Sequence, residues 1–344
     1  MPLPYLTATV PGIGGRLRTE PEDFQVDERP LYLPCGEGEH LYVKVTKRLL
    51  STPDLVRRIS STVGVKTKGV GTAGLKDARA VTTQMLSLHA VTTERVARLK
   101  LSDQILAIEV LGRHGNRLRP GHHAGNRFRL VIRDVAPHAK ETVPTVLDVL
   151  LRRGVPNFFG PQRQGKNGEN YHVGAGLLTD SSKRAQMSRS KRMWYLNSFQ
   201  SHLFNQILGR RLEHLDCVWA GDWAMKMDNG ACFLVEDAQQ EKARADRFEI
   251  SPTGVLFGSR VSWATGQAGE IEQAVITEQG STPEALIQSA KACGFRGERR
   301  SLRVPLGELE WSLDGSILTL SFVLPPGAYA TSVLRELMKI PELG

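Results

Sequence analysis

An α+β fold is what this chain predicts, and three observations carry the prediction. Alternating apolar residues dominate the first 135 positions, a helical stretch fills the middle, and strand character returns after residue 303. A strand-rich start and end around a helical middle imply an insertion whose limits lie near Gly154 and Arg303. The predicted organisation is therefore 1–153, then an inserted domain over 154–303, then 304–344 returning to the first domain.

Each element follows from its local pattern. Residues 40–46 (HLYVKVT) alternate with one apolar face, as do residues 81–89, 105–110 and 126–132. Thr52-Pro53 supplies a cap and a first-turn proline, and Leu55, Val56, Ile59 and Val63 form the stripe of the helix that follows. A second helix is predicted over 140–152, stopped by Gly154 and Pro156. Residues 194–215 read as one long helix with Leu196, Phe199, Leu203, Phe204, Ile207, Leu208 and Leu212 on a broad apolar face. Weaker helices over 238–247 and 283–293 lie among irregular glycine-rich connections. Residues 309–313 and 316–324 form a hairpin about Asp314-Gly315, and a last helix, 332–338, follows Pro325-Pro326-Gly327.

Composition narrows the function. The 344 residues are 40% hydrophobic and 24% charged, as in globular proteins. No apolar run approaches the length of a membrane span, and no secretory signal pattern opens the chain. Cys35, Cys217, Cys232 and Cys293 are scattered without a Cys-x-x-Cys pair, which suits reduced thiols in a cytoplasmic protein and neither a disulfide framework nor a zinc site. The formal net charge of +9 raises the odds of a polyanionic partner. Residues 111–133 carry six arginines, three histidines and no carboxylate, and residues 181–193 carry five basic residues and no acid. Arg296, Arg299, Arg300 and Arg303 surround a single Glu298. Any one run reads as a solvated face; three together favour a phosphate-binding surface.

Segment 73–84 (AGLKDARAVTTQ) is the most informative stretch. It sets Asp77 after a glycine-bearing turn, between Lys76 and Arg79, and opposite charge keeps a carboxylate ionised where water is scarce. By itself this is more often a structural ion pair in a loop. Two nearby patterns mislead. Residues 69–74 satisfy G-x-G-x-x-G, but a helix precedes them and a strand follows, the reverse of a dinucleotide fold. Residues 160–167 resemble a P-loop, yet end in Asn167 where Ser or Thr must hold magnesium, and Pro161 removes an N–H from the cradle.

Three separated segments, PEDFQVDE (21–28), AGLKDARAVTTQ (73–84) and NFFGPQRQG (157–165), together resemble the TruD-type tRNA pseudouridine synthase family. RPGHHAGNRF (119–128), NSFQSHLFN (197–205) and LPPGAYATSVLRE (324–336) support the resemblance, which runs over nearly the whole chain. It implies the pseudouridine synthase fold: a mainly antiparallel sheet core carrying an inserted α/β domain. It also implies isomerisation of uridine to pseudouridine, at position 13 of certain tRNAs, with no cofactor and no obligatory metal. The implied partner is tRNA, with no membrane and no protein partner; a monomer is the default.

Site residues carry over by motif. Asp77 matches the catalytic aspartate, acting on the ribose either by attack or by removing a proton to give a glycal. Which basic group touches Asp77 is open, since neighbours on a strand point to opposite faces. Phe159 matches the aromatic that stacks on uracil, and Phe24 and Asn157 match further uridine-contacting positions. Asn157 offers both a donor and an acceptor to a base edge. Tyr329 stands where the family motif often has Phe, so its place in the pocket adds a hydroxyl. Gln164 stands where the family usually has an aromatic. The alternative to an enzyme is a non-catalytic RNA-binding or RNA-folding protein with the same pocket.

Overall fold

The computed structural model describes residues 3–165 and 168–341 and resolves into two compact units. Lys166 and Asn167, the end of the P-loop-like segment, lie outside the described residues. Of the described residues, one unit comprises 12–144, 306–330 and 337–341; the other comprises those of 3–11, 145–305 and 331–336.

The first unit is built on a nine-stranded sheet. From one edge the strands run Gly307–Asp314, Ile317–Leu324, His123–Arg133, Phe24–Pro30, Val81–His89, His40–Arg48 and Ile105–His114. Two short strands, Arg16–Leu17 and Val70–Thr72, add to His123–Arg133 and Val81–His89. Every pairing is antiparallel except Phe24–Pro30 with Val81–His89, which is parallel.

Period-two alternation divides strand His40–Arg48 between two cores. Leu41, Val43 and Val45 pack with Leu55, Ile59 and Val63 of helix Thr52–Val63. Tyr42 faces the other way, onto Ala73, Met85 and Leu118. The cap is Ser51 rather than the expected Thr52, because the Ser51 hydroxyl accepts the Asp54 N–H, and the helix ends at Gly64 with φ 67°. Each strand expected here forms, several of them longer at one end, as where the expected 105–110 extends to His114.

The second unit holds a four-stranded antiparallel sheet in the order Cys232–Leu234, Trp223–Lys226, Ile250–Leu256, Glu298–Ser301. Helix Arg189–Arg210 covers it, placing Phe199, Leu203 and Ile207 in a core with Val255, Phe257, Val275 and Leu286. Val155–Pro156 pairs with Arg303–Val304, so the chain entering and leaving residues 157–302 is joined by a two-stranded ladder.

This sheet was not read from the sequence. Its central strand, ISPTGVL, holds Pro252 and Gly254, the residues that ordinarily mark turns. Helix Arg189–Arg210 also begins five residues before the expected position 194, because the Ser188 hydroxyl caps it by accepting the Lys191 N–H. Helix Gly266–Glu278 lies where only irregular connections were expected, and helix Asn170–Thr179 where no element was read.

Buried charge anchors the second unit. Glu272, 2% exposed, accepts the N–H groups of Val255 and Ala264, each at 3.0 Å, and pairs with Arg299 at 2.7 Å. Arg299 in turn donates to the Thr253 hydroxyl and carbonyl, both at 2.9 Å. Removing one partner strands the other charge in the interior. Glu272→Ala is therefore expected to destabilise the protein by about 3–5 kcal/mol, seen as a lower urea midpoint.

Candidate active site

The loop bearing Asp77 lies between strands Val70–Thr72 and Val81–His89. Its backbone is tied on several sides. The Gly121 N–H donates to the Ala73 carbonyl at 2.8 Å, and the Lys76 N–H donates to the Thr52 hydroxyl at 3.0 Å. Lys47 Nζ donates to the Asp77 carbonyl at 3.0 Å, and the Leu49 N–H to the Ala80 carbonyl at 3.2 Å. The Thr52 hydroxyl in turn donates to Gln84 Oε1 at 2.9 Å, linking the loop to the sheet. A loop with this many fixed backbone groups holds its side chain in one place.

The Asp77 carboxylate remains about one-third exposed and pairs through Oδ2 with Nη2 of Arg18. Its Oδ1 accepts the backbone N–H of Arg79 at 2.9 Å. The partner is thus neither adjacent side chain. Lys76 turns inward instead and pairs with Glu28 at 2.5 Å, both buried, while Glu28 Oε1 accepts the Met85 N–H at 2.9 Å.

Arg18 is delivered to this position by an unusual backbone. Its φ of 60° lies in the left-handed region, which costs a non-glycine residue about 1–2 kcal/mol. The flanking segment is clamped on both sides. Arg16 and Leu17 pair with Arg133 and Ile132, and Asp23 accepts two bonds from Arg133. That guanidinium holds the Asp23 carboxyl below the usual range against the opposing effect of burial. Arg18 lies over the Phe24 ring at 4.2 Å, and Phe24 meets Phe128 edge-on at 6.4 Å. Phe24 and Asp77, both expected site residues, therefore share one arginine.

Asn157 and Phe159 share another arginine, within the second unit. The Asn157 amide donates to the Ser301 carbonyl at 2.9 Å and to its hydroxyl at 3.2 Å. Its Oδ1 accepts from Arg300 at 2.5 Å. The Arg300 guanidinium lies 4.1 Å from the centroid of Phe159, which meets Phe204 edge-on at 5.4 Å. Asn205 fixes the backbone of Phe159 twice, accepting its N–H at 2.9 Å and donating to its carbonyl at 3.0 Å. Tyr329 is half-buried in the first unit, one residue before helix Ala330–Met338.

Sequence reasoning missed three of these groups. Lys47 had a signal: it continues the register of Leu41, Val43 and Val45, so a lysine stands at a core-facing position. Arg18 had none, because its placement depends on a backbone conformation. Arg300 was read as part of a phosphate-binding run, and that reading is corrected by the fold. Arg299 and Arg303 are buried, Arg303 donating to the carbonyls of Arg153 and Ala245, while Arg300 serves Asn157 and Phe159. Within 111–133, Arg127 pairs with Glu308 and Arg133 with Asp23, so that run is partly neutralised too.

Fold and site together define an α+β protein that presents a fixed, arginine-paired carboxylate beside an aromatic side chain. The family model described as tRNA pseudouridine synthase D (TruD) matches residues 2–189 and 180–337. A "tRNA pseudouridine synthase D" of Syntrophotalea carbinolica is 41% identical, with 97% of this chain and 98% of that one covered. The one of Thermus thermophilus is 42% identical over 99% of this chain and 93% of its own. The crystal structure of a putative tRNA pseudouridine synthase D (TruD) from Methanosarcina mazei superposes with a TM-score of 0.81 at 26% identity, covering 98% of this chain and 96% of that one. This chain belongs to the TruD family of tRNA pseudouridine synthases.

Lys47 gives the site a pH signature. It is fully buried, and burial lowers its ammonium to about 8, with Lys76 adding to the shift and Asp77 opposing it. In the unfolded chain a lysine titrates near ~10.4, so between about pH 8 and 10.4 the unfolded state binds the extra proton. The penalty is full below pH 8 and is relieved as pH rises through that window. Wild type is expected to gain stability between pH 7.5 and 9.5 relative to Lys47→Met, read as a change in the difference of their urea midpoints.

Proposed function

We propose that this protein isomerises uridine to pseudouridine in tRNA, at position 13, with Asp77 as the single catalytic carboxylate. The observation that carries this reading is the arginine-paired, solvent-reachable carboxylate in a loop whose backbone is tied at four points. Family membership supplies the reaction. The C1′–N1 bond of the target uridine breaks, the detached uracil turns, and C5 bonds to C1′. The C5 proton leaves and N1 gains one, so substrate and product are isomers.

Asp77 serves either route the chemistry allows. As a nucleophile it attacks C1′ as uracil leaves; as a base it takes a ribose proton to give a glycal. Both need a carboxylate set against the ribose, and the Arg18 ion pair fixes where that carboxylate stands. Phe24, Asn157, Phe159 and Tyr329 are assigned to uridine contact through the family motifs. Aromatic faces that stack on a base contribute about 1–3 kcal/mol each. Because the Asn157 carboxamide is already bonded to Ser301 and Arg300, its contact with uridine would use the second lone pair of Oδ1. We assign residues 154–303 to a domain inserted in the catalytic fold, a division supported by the ladder between Val155–Pro156 and Arg303–Val304.

Asp77→Asn separates this reading from a non-catalytic RNA-binding protein. Pseudouridine formation is expected to fall by about 10³-fold or more, while tRNA affinity stays within about threefold. Pseudouridine made at the wild-type rate by Asp77→Asn would remove Asp77 from the mechanism.

A further inference from the structure

We infer that a cleft in the second unit, lined by Arg184, Arg189 and Arg192, seats one phosphodiester of the RNA strand; this deepens, and rests on, the proposed activity on tRNA. The cleft has a volume of about 130 Å³, and Leu177, Met193, Leu196, Cys293 and Gly294 complete its wall. Its arginines stand on a built frame. Arg184 Nη1 donates to the carbonyls of Leu177 and Leu178 at 2.9 and 3.0 Å, at the end of helix Asn170–Thr179. Arg192 Nη1 donates to the Arg184 carbonyl at 3.2 Å. These bonds orient two guanidinium groups and leave their other N–H donors for a ligand. No carboxylate lines the cleft, and among the described residues none pairs with any of the three arginines.

Charge placement argues that this is not a passive surface. Arg189 and Arg192 occupy the first turn of helix Arg189–Arg210, at the positive end of its dipole, where cations are disfavoured. Three arginines lining one cleft suit an anion, and arginine forks match phosphate oxygens in pairs. Size selects among phosphate ligands. Sites for free small molecules usually enclose about 300–1,000 Å³, so this smaller cleft suits a single phosphate rather than an enclosed nucleotide. Such a seat is useful on a polymer, where neighbouring contacts supply the remaining affinity.

Steady-state kinetics and tRNA binding at several salt concentrations test this with Arg189→Gln and Arg192→Gln. Lys183→Gln is the control: it removes the same charge nearby, from a residue that pairs with Asp180 outside the cleft. Arg189→Lys retains the charge. Both glutamine variants are expected to weaken binding and raise KM by about tenfold, leave kcat unchanged, and reduce the salt slope of log K by about one. Arg189→Lys should recover most of the affinity, and unchanged melting temperatures would show that folding is intact. Slopes for the cleft variants equal to that of Lys183→Gln would overturn the proposal. Inorganic phosphate that raises the melting temperature of wild type but not of Arg189→Gln, with an unaltered tRNA slope, would assign the cleft to a free anion and also overturn it. Wild type that binds tRNA without forming pseudouridine would defeat the proposed activity, and the slopes would still decide the cleft.

Discussion

The ion pair between Arg18 and Asp77 is the interaction on which the candidate site depends. In the proposed reaction this carboxylate has to be held in place while a substrate displaces water around it. A cation at fixed distance meets that need without reorganising during reaction. The surrounding structure can be understood as the means of holding this pair still. Strand Arg16–Leu17 and the Asp23–Arg133 bonds hold one side, and Thr52 and Lys47 hold the backbone of the other. The left-handed backbone at Arg18 is a cost the fold accepts to aim one guanidinium at both Asp77 and the Phe24 ring.

Arginine is used in two distinct ways in this chain. Some guanidinium groups are structural: Arg299 pairs with Glu272, Arg211 with Asp222 at 2.8 Å, and Arg303 binds carbonyls, all of them buried. Others, such as Arg184, Arg189 and Arg192, face a cleft with no balancing acid among the described residues. A net charge of +9 therefore says less about RNA than where the unbalanced cations lie. The third basic run shows this most clearly, since most of it serves the interior of the second unit.

Much of the fold was legible because its signals are local. Local patterns located six strands of the nine-stranded sheet but not Arg16–Leu17, Phe24–Pro30 or Val70–Thr72, and Pro53 with the apolar stripe located the first helix, whose cap is Ser51 rather than the expected Thr52. The smaller sheet was hidden because Pro252 and Gly254 sit inside its central strand, where packing overrides turn propensity. The site divides the same way. Asp77 and Phe24 could be named from their motifs, and the structure brings them to one arginine. Arg18 could not, since no local pattern announces a residue held with positive φ by strand pairing. Lys47 was readable only as a lysine in the wrong register, and Arg300 was disguised by its basic neighbours.

The central claim is that Arg18 holds Asp77 in its working state, and single-turnover pseudouridine formation with saturating enzyme tests it most directly. Arg18→Met should slow the reaction by about 10²-fold or more with tRNA binding little changed, and Arg18→Lys should recover part of the rate. An Arg18→Met enzyme that forms pseudouridine at the wild-type rate would contradict the account.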